Sequence, residues 1–250
     1  MVREKVLAAL LLGAAIVVGR TISGSAAHAE PFDKPLQKQV VDLGRSPYQV
    51  PNDESHVKLT CSYYPNFMVK ELNDPGNKGA LWIAIASVRP GHISGCTRTH
   101  GPGERVFKGW DGYFGGVKRD LVFLYDSDGT NGGIGFTAFD SKTRTKVFRD
   151  SVLFGVRFQE IDFIRVSASQ MTLRYSRVVS GDCSVPKDGN ACWSKFKEQH
   201  GLRTALMPQC EYHGEDVSDP SVIAYPVEVS LFPKPSVTVL ANPVKCWPAD

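Results

Sequence analysis

Strict alternation marks one stretch of the chain most clearly. Met171, Leu173 and Tyr175 alternate with Thr172, Arg174 and Ser176, the period-two pattern of a strand with one face buried. Just upstream, Phe163 to Ser167 leads into a short Ala-Ser-Gln turn, so residues 161–179 read as a hairpin. Leu121 to Tyr125 (LVFLY) has no polar residue and suits a strand covered on both faces. A meander follows: Ile134 to Phe139, the polar turn Asp140 to Thr145, then Lys146 to Arg149. Val57 to Tyr63, Ala80 to Ser87, Val222 to Leu231 and Val237 to Leu240 are further candidates. About ten short strands must cover their faces and protect their edges, which predicts a mainly β, two-layer antiparallel β-sandwich or partly closed barrel.

Proline sharpens this picture. Pro31, Pro35, Pro47 and Pro51 mark an extended N-terminal arm, and another group from Pro208 to Pro248 marks an irregular C-terminal part. Between Pro102 and Pro186 there is none. Central strands need the N–H that proline lacks, so the main sheet is expected in that gap. One short helix is expected near 190–200. Asn190 suits its N-cap, Trp193, Phe196 and His200 share a face, and Gly201 can close it left-handed. Residues 152–162 fit neither period.

The N-terminus changes the setting. Arg3 and Lys5 precede an uncharged run, Val6 to Val18, of 13 residues. That length suits the apolar region of a signal peptide and falls short of the ~20 residues of a membrane-spanning helix. Ala27-His28-Ala29 fits a small-x-small cleavage site, placing the cut before Glu30. The expected organisation is a signal peptide over 1–29, an arm over 30–55 and a single β-rich domain over 56–250, exported to the periplasm or beyond, with no membrane span once the signal is removed.

The full chain carries 29 Lys and Arg against 26 Asp and Glu. Two of the three net positive charges belong to the signal segment. The remainder is near neutral, with no basic run to follow a nucleic-acid backbone and no basic amphipathic stretch for an anionic membrane surface. All six cysteines (Cys61, Cys96, Cys183, Cys192, Cys210 and Cys246) lie after the signal segment. An even number in an exported chain reads as disulfides. Six cysteines allow 15 pairings. Pairing neighbours in order joins Cys61 to Cys96, Cys183 to Cys192 and Cys210 to Cys246, and the second pair is favoured by the turn-forming Pro186 to Gly189 between its members. No C-x-x-C or H-x-x-x-H spacing supports zinc.

Three constellations offer chemistry. Asp126-Ser127-Asp128-Gly129-Thr130-Asn131-Gly132-Gly133 places oxygen ligands at close spacing in a Gly-containing segment, which suits calcium held by Asp126, Asp128 and Asn131. The pattern departs from an EF-hand, with Asn131 where the turn Gly belongs and Thr137 where the closing Glu belongs. Asp, Asn and Gly are also the ordinary material of turns.

The second constellation is Cys96 with His92, His100 and Arg98: a nucleophile, two candidate bases and an oxyanion partner. The run Ser94-Gly95-Cys96-Thr97-Arg98 resembles the cysteine motif of the L,D-transpeptidases, exported enzymes that cross-link peptidoglycan, written Ser-x-Gly-Cys-x-Arg. Here one residue is missing between Ser94 and Gly95, and a His-Gly pair lies downstream, at His100-Gly101, instead of upstream. The resemblance implies a cysteine-dependent cell-wall enzyme, whereas a disulfide at Cys96 implies none.

The third is Trp110-Asp111-Gly112-Tyr113-Phe114-Gly115-Gly116. There Trp110, Tyr113 and Phe114 can offer flat apolar faces to a sugar ring or peptide, or serve as core. No G-x-S-x-G, phosphate loop, H-E-x-x-H or dinucleotide fingerprint is present. The sequence therefore favours a non-catalytic exported module of the cell envelope, contacting an envelope protein or glycan through Trp110 to Gly116 and Asp126 to Gly133.

Overall fold

The computed structural model describes residues 32–48, 55–88, 95–108, 112–154, 161–167, 169–212, 216–240 and 243–249. Residues 1–29, expected to be a signal segment, and His92 and Trp110 lie outside them. Among the described residues the strands form two antiparallel sheets and no closed barrel, consistent with a β-sandwich.

The first sheet runs in chain order: β1 (Gln37–Arg45), β2 (His56–Tyr63), β3 (Phe67–Asn73), β4 (Ala80–Ser87) and β5 (Arg105–Lys108). The arm expected from the proline pattern thus contains an edge strand, β1, paired with β2 from Gln37↔Tyr63 to Arg45↔His56.

The second sheet holds β6 (Gly112–Lys118), β7 (Leu121–Thr130), β8 (Gly133–Asp140), β9 (Lys146–Leu153), β10 (Asp162–Val166), β11 (Met171–Ser180), β12 (Ser221–Ser230), β13 (Ser236–Val239) and β14 (Lys245–Pro248). Strands β6 to β11 fall in the proline-free gap, together with β5 of the first sheet. Two strands in this sheet change partners along one edge. β11 pairs with β10 over Met171 to Arg174 and with β9 only at Arg177↔Val152. β12 pairs with β14 over Ser221 to Ala224 and with β13 over Val227 to Ser230. Pro226 sits between those two ladders, where a missing N–H leaves no pair broken, and its carbonyl accepts from Leu240 N at 2.9 Å.

The LVFLY strand is covered on both faces. Val122 and Leu124 meet Phe67, Val69, Ile83 and Ile85 of the first sheet, so this is the layer between the sheets. Leu121, Phe123 and Tyr125 point the other way, into a larger core with Phe136, Leu173, Tyr175, Tyr225, Trp193 and Phe196. The outer face of the first sheet buries Leu59, Met68, Leu72 and Trp82 beneath the segment carrying Cys96.

The expected helix is present as α2 (Asn190–His200), and Gly201 ends it left-handed at φ 71°. Its N-cap is Gly189 rather than Asn190, because a short α1 (Val185–Asp188) occupies the segment read as a turn. Ser184 caps α1, accepting from Lys187 N at 3.3 Å. The disulfides join Cys61 to Cys96, Cys183 to Cys192 and Cys210 to Cys246, the neighbour-in-order pairs. Cys183–Cys192 ties α2 to the end of β11, and Cys210–Cys246 holds the C-terminal segment on β14. No helix among the described residues is long and apolar enough to cross a membrane.

Candidate functional site

Two irregularities in the β6–β7–β8 meander shape a cleft. In β7 the register with β8 slips between Tyr125↔Phe136 and Gly129↔Ile134. Asp126, Ser127 and Asp128 form this bulge, a device that re-aims side chains away from the ladder. The hairpin then closes on Asn131 and Gly132, at φ 53° and 75°. Both are left-handed, as a two-residue type I′ turn requires. The segment read as a calcium loop is therefore a bulged strand end and an Asn-Gly turn. In β6 a second slip, between Phe114 and Gly116, sets Gly115 out of register. A Cβ on Gly115 would lie 2.0 Å from the Tyr125 ring, and one on Gly116 2.4 Å from the Phe32 ring. These glycines make room for the buried Tyr125 ring and the half-buried Phe32 ring.

The cleft, about 420 Å3, is lined by Tyr113, the bulge residues Asp126 to Gly129, Gly132, Ile134 and Phe154. It joins the two regions singled out in the sequence, through Tyr113 and the Asp126 to Gly132 segment. Their partners come from elsewhere. Lys78 pairs with Asp128, and that bond, ahead of the charge itself, holds the Asp128 carboxyl below its ordinary range. Arg149 Nη2 lies 3.4 Å from Asp126 Oδ2. Gly79 N donates to the Tyr113 hydroxyl at 3.0 Å and fixes the ring. Phe154 is 54% exposed, and its amide donates to Gly132 O at 2.8 Å. Gly135 faces Asp126 from β8, and a Cβ there would lie 1.9 Å from Asp126 Oδ2. The missing side chain gives the carboxylate its place.

Phe114 does not share the cleft. It turns into the layer between the sheets, and its amide donates to Glu71 Oε1 at 2.9 Å. Burial pushes the Glu71 carboxyl above its ordinary range against the opposing effect of that amide. Asn131, at the hairpin tip, donates through Nδ2 to Ser180 Oγ at 2.9 Å, and its carbonyl accepts from Trp247 Nε1. Asp126 and Asp128 each face a cation on another element, and Asn131 turns to Ser180. Among the described residues the one His/Cys/Asp/Glu group close enough to hold a metal is Cys183, Asp188 and Cys192, whose sulfurs are joined in a disulfide.

The cysteine constellation is arranged differently. Cys96 is bonded to Cys61 and carries no thiol. His100 Nδ1 lies 3.3 Å from Glu104 Oε2 and stacks edge-on to Trp82 at 4.5 Å. Arg98 is exposed. Lys78, Ile134, Arg149 and Phe154 were missed in the sequence. The Asn131-Gly132 dipeptide was the one local signal that could have announced the hairpin beneath them.

A second cleft, about 380 Å3, lies at the other end of the meander beside Asp33, Tyr64, Phe67 and Arg119. Burial, then the Asp33 charge, pushes the Tyr64 phenol up to about 12. Its carboxylates are satisfied by neighbours, Asp33 by Lys118 at 3.2 Å and Asp120 by Lys142 at 2.9 Å. No family model matches the chain, and no curated protein or solved structure matches it either.

Proposed function

We propose that the protein is a non-catalytic, exported binding module of the cell envelope, and that its ligand sits in the cleft formed by Tyr113, Asp126 to Gly129, Gly132, Ile134 and Phe154. The observation that carries this reading is the assembly of two separate segments, each suited to ligand contact, into one open cleft with an aromatic and a polar side. Three disulfides and the signal-like first 29 residues support an oxidising destination, the periplasm or the outside of the cell. The non-catalytic part is supported by Cys96, whose sulfur is occupied by Cys61 and unavailable as a nucleophile.

Amide-detected NMR of the exported protein against a small-molecule panel of amines, carboxylates, peptides and sugars tests the location. Ligand-induced shifts are expected to cluster on Tyr113, Gly129, Gly132 and Ile134. Clustering at Tyr64 and Arg119 would move the site to the second cleft. Hydrolysis or transfer of any panel member would remove the word non-catalytic.

A further inference from the structure

We infer that the cleft takes a neutral, hydroxyl-rich ligand, a short saccharide segment, rather than a metal ion, an amine or an anion. This rests on the reading of the cleft as the binding seat and names the ligand class. Its two carboxylates are already matched by two cations from other elements, Lys78 against Asp128 and Arg149 against Asp126. The local charge therefore sums to zero. A divalent cation or an ammonium ligand has to displace Lys78 or Arg149 to reach a carboxylate, and an anion meets two carboxylates at the floor of the bulge.

A hydroxyl group faces neither penalty, because it donates to carboxylate lone pairs and accepts from ammonium or guanidinium N–H groups without breaking either pair. Both pairs keep capacity for this. Lys78, Asp128 and Arg149 have more than half of their side-chain surface open, and Asp126 about a third. Ser127 adds a further hydroxyl at the wall. The Tyr113 hydroxyl accepts from Gly79 N and so presents its own hydrogen for donation.

The remaining lining is apolar. Tyr113, Ile134 and Phe154 give flat or compact surface of the kind that covers the C–H face of a sugar ring. Gly129 and Gly132 add no side chain that would narrow the cleft. The volume, about 420 Å3, falls in the range of small-molecule sites, ~300–1,000 Å3.

The test is titration calorimetry of the whole exported protein, with amide NMR, against chitotriose, maltotriose, spermidine, citrate and calcium chloride. A neutral trisaccharide is expected to bind in the millimolar range or tighter and to shift Gly129, Gly132 and Ile134. Phe154→Ala should weaken it about tenfold, the loss of one stacked aromatic. Gly135→Ala should weaken it by pushing the Asp126 carboxylate aside, with the melting temperature close to wild type. Spermidine, citrate or calcium shifting the cleft residues while neither sugar does so would overturn the saccharide class and leave the cleft as the seat. Sugar shifts confined to Tyr64 and Arg119, or no response to any probe at tens of millimolar, would overturn both.

Discussion

Lys70 Nζ lies 3.1 Å from Glu104 Oε1, and the two side chains are 1% and 7% exposed. Lys70 also donates to the Thr99 carbonyl at 2.9 Å, and His100 stands on the far carboxylate oxygen of Glu104. The ammonium leaves β3 on the outer face of the first sheet and holds the 95–104 segment down, beside the Cys61–Cys96 bridge. A buried pair of this kind is expensive to break and inexpensive to replace. Lys70→Ala should therefore cost about 3–5 kcal/mol, because it strands the Glu104 carboxylate. The double variant Lys70→Met, Glu104→Met should cost much less. Urea midpoints of the two variants check this, and equal losses would contradict it.

The disulfides should differ in weight. Cys61 and Cys96 are 35 residues apart and Cys183 and Cys192 only 9. Loop-closure entropy assigns them roughly 4 and 2.5 kcal/mol respectively. Replacing each pair by alanines and comparing thermal unfolding should place the Cys61, Cys96 variant lower. The reverse order would mean that α2 depends on its bridge beyond chain entropy.

Acid sensitivity should trace to His200. Burial, then the Arg177 charge, hold its pKa below the ordinary 6.5, and its ring packs near Phe196 and Tyr225. The folded protein thus keeps His200 neutral where the unfolded chain takes a proton. The stability this contributes is whole above about pH 6.5 and is lost as pH falls through the lower folded value. His200→Gln should flatten the dependence of stability on pH below about 6.5. An unchanged slope in denaturant titrations would assign that sensitivity to another group.

Overpacking at Gly115 should show how the meander is built. With Tyr125 fully buried and its ring 2.0 Å from an added Cβ, Gly115→Ala has to move a core aromatic, at roughly 1–3 kcal/mol or more. Gly135→Ala, where the obstacle is the flexible end of Asp126, should cost far less. Melting temperatures of the two variants that are equal would contradict this assignment of roles.

These contrasts also explain what was legible in the sequence. β7, β8, β11 and β12 read correctly because their faces are apolar or strictly alternate. β3 was not among the expected strands, because Lys70 and Glu71 interrupt its apolar run. Lys70 is matched in its burial by the Thr99 carbonyl and Glu104, 29 and 34 residues later, and Glu71 turns toward the Phe114 amide, 43 residues later. β1 was hidden by its exposure: as an edge strand it has little apolar patterning to display. The cleft was half legible. Tyr113 and the Asp126 to Gly132 segment stood out by composition, but their union depends on a register slip. Lys78 and Arg149 reach it from 50 and 23 residues away. No local pattern carries such pairings. The bulge segment supports a metal-loop reading and a turn reading alike, because Asp, Asn and Gly serve both purposes.

Whether the protein is a binding module or a cysteine enzyme turns on the sulfur of Cys96. Alkylation of the protein without reductant, followed by digestion and mass spectrometry, decides between the two. For a binding module, all six cysteines are expected to resist alkylation, and peptides crosslinked Cys61–Cys96, Cys183–Cys192 and Cys210–Cys246 to be recovered. Rapid labelling of Cys96 near neutral pH would contradict it and return the residue to the role of nucleophile.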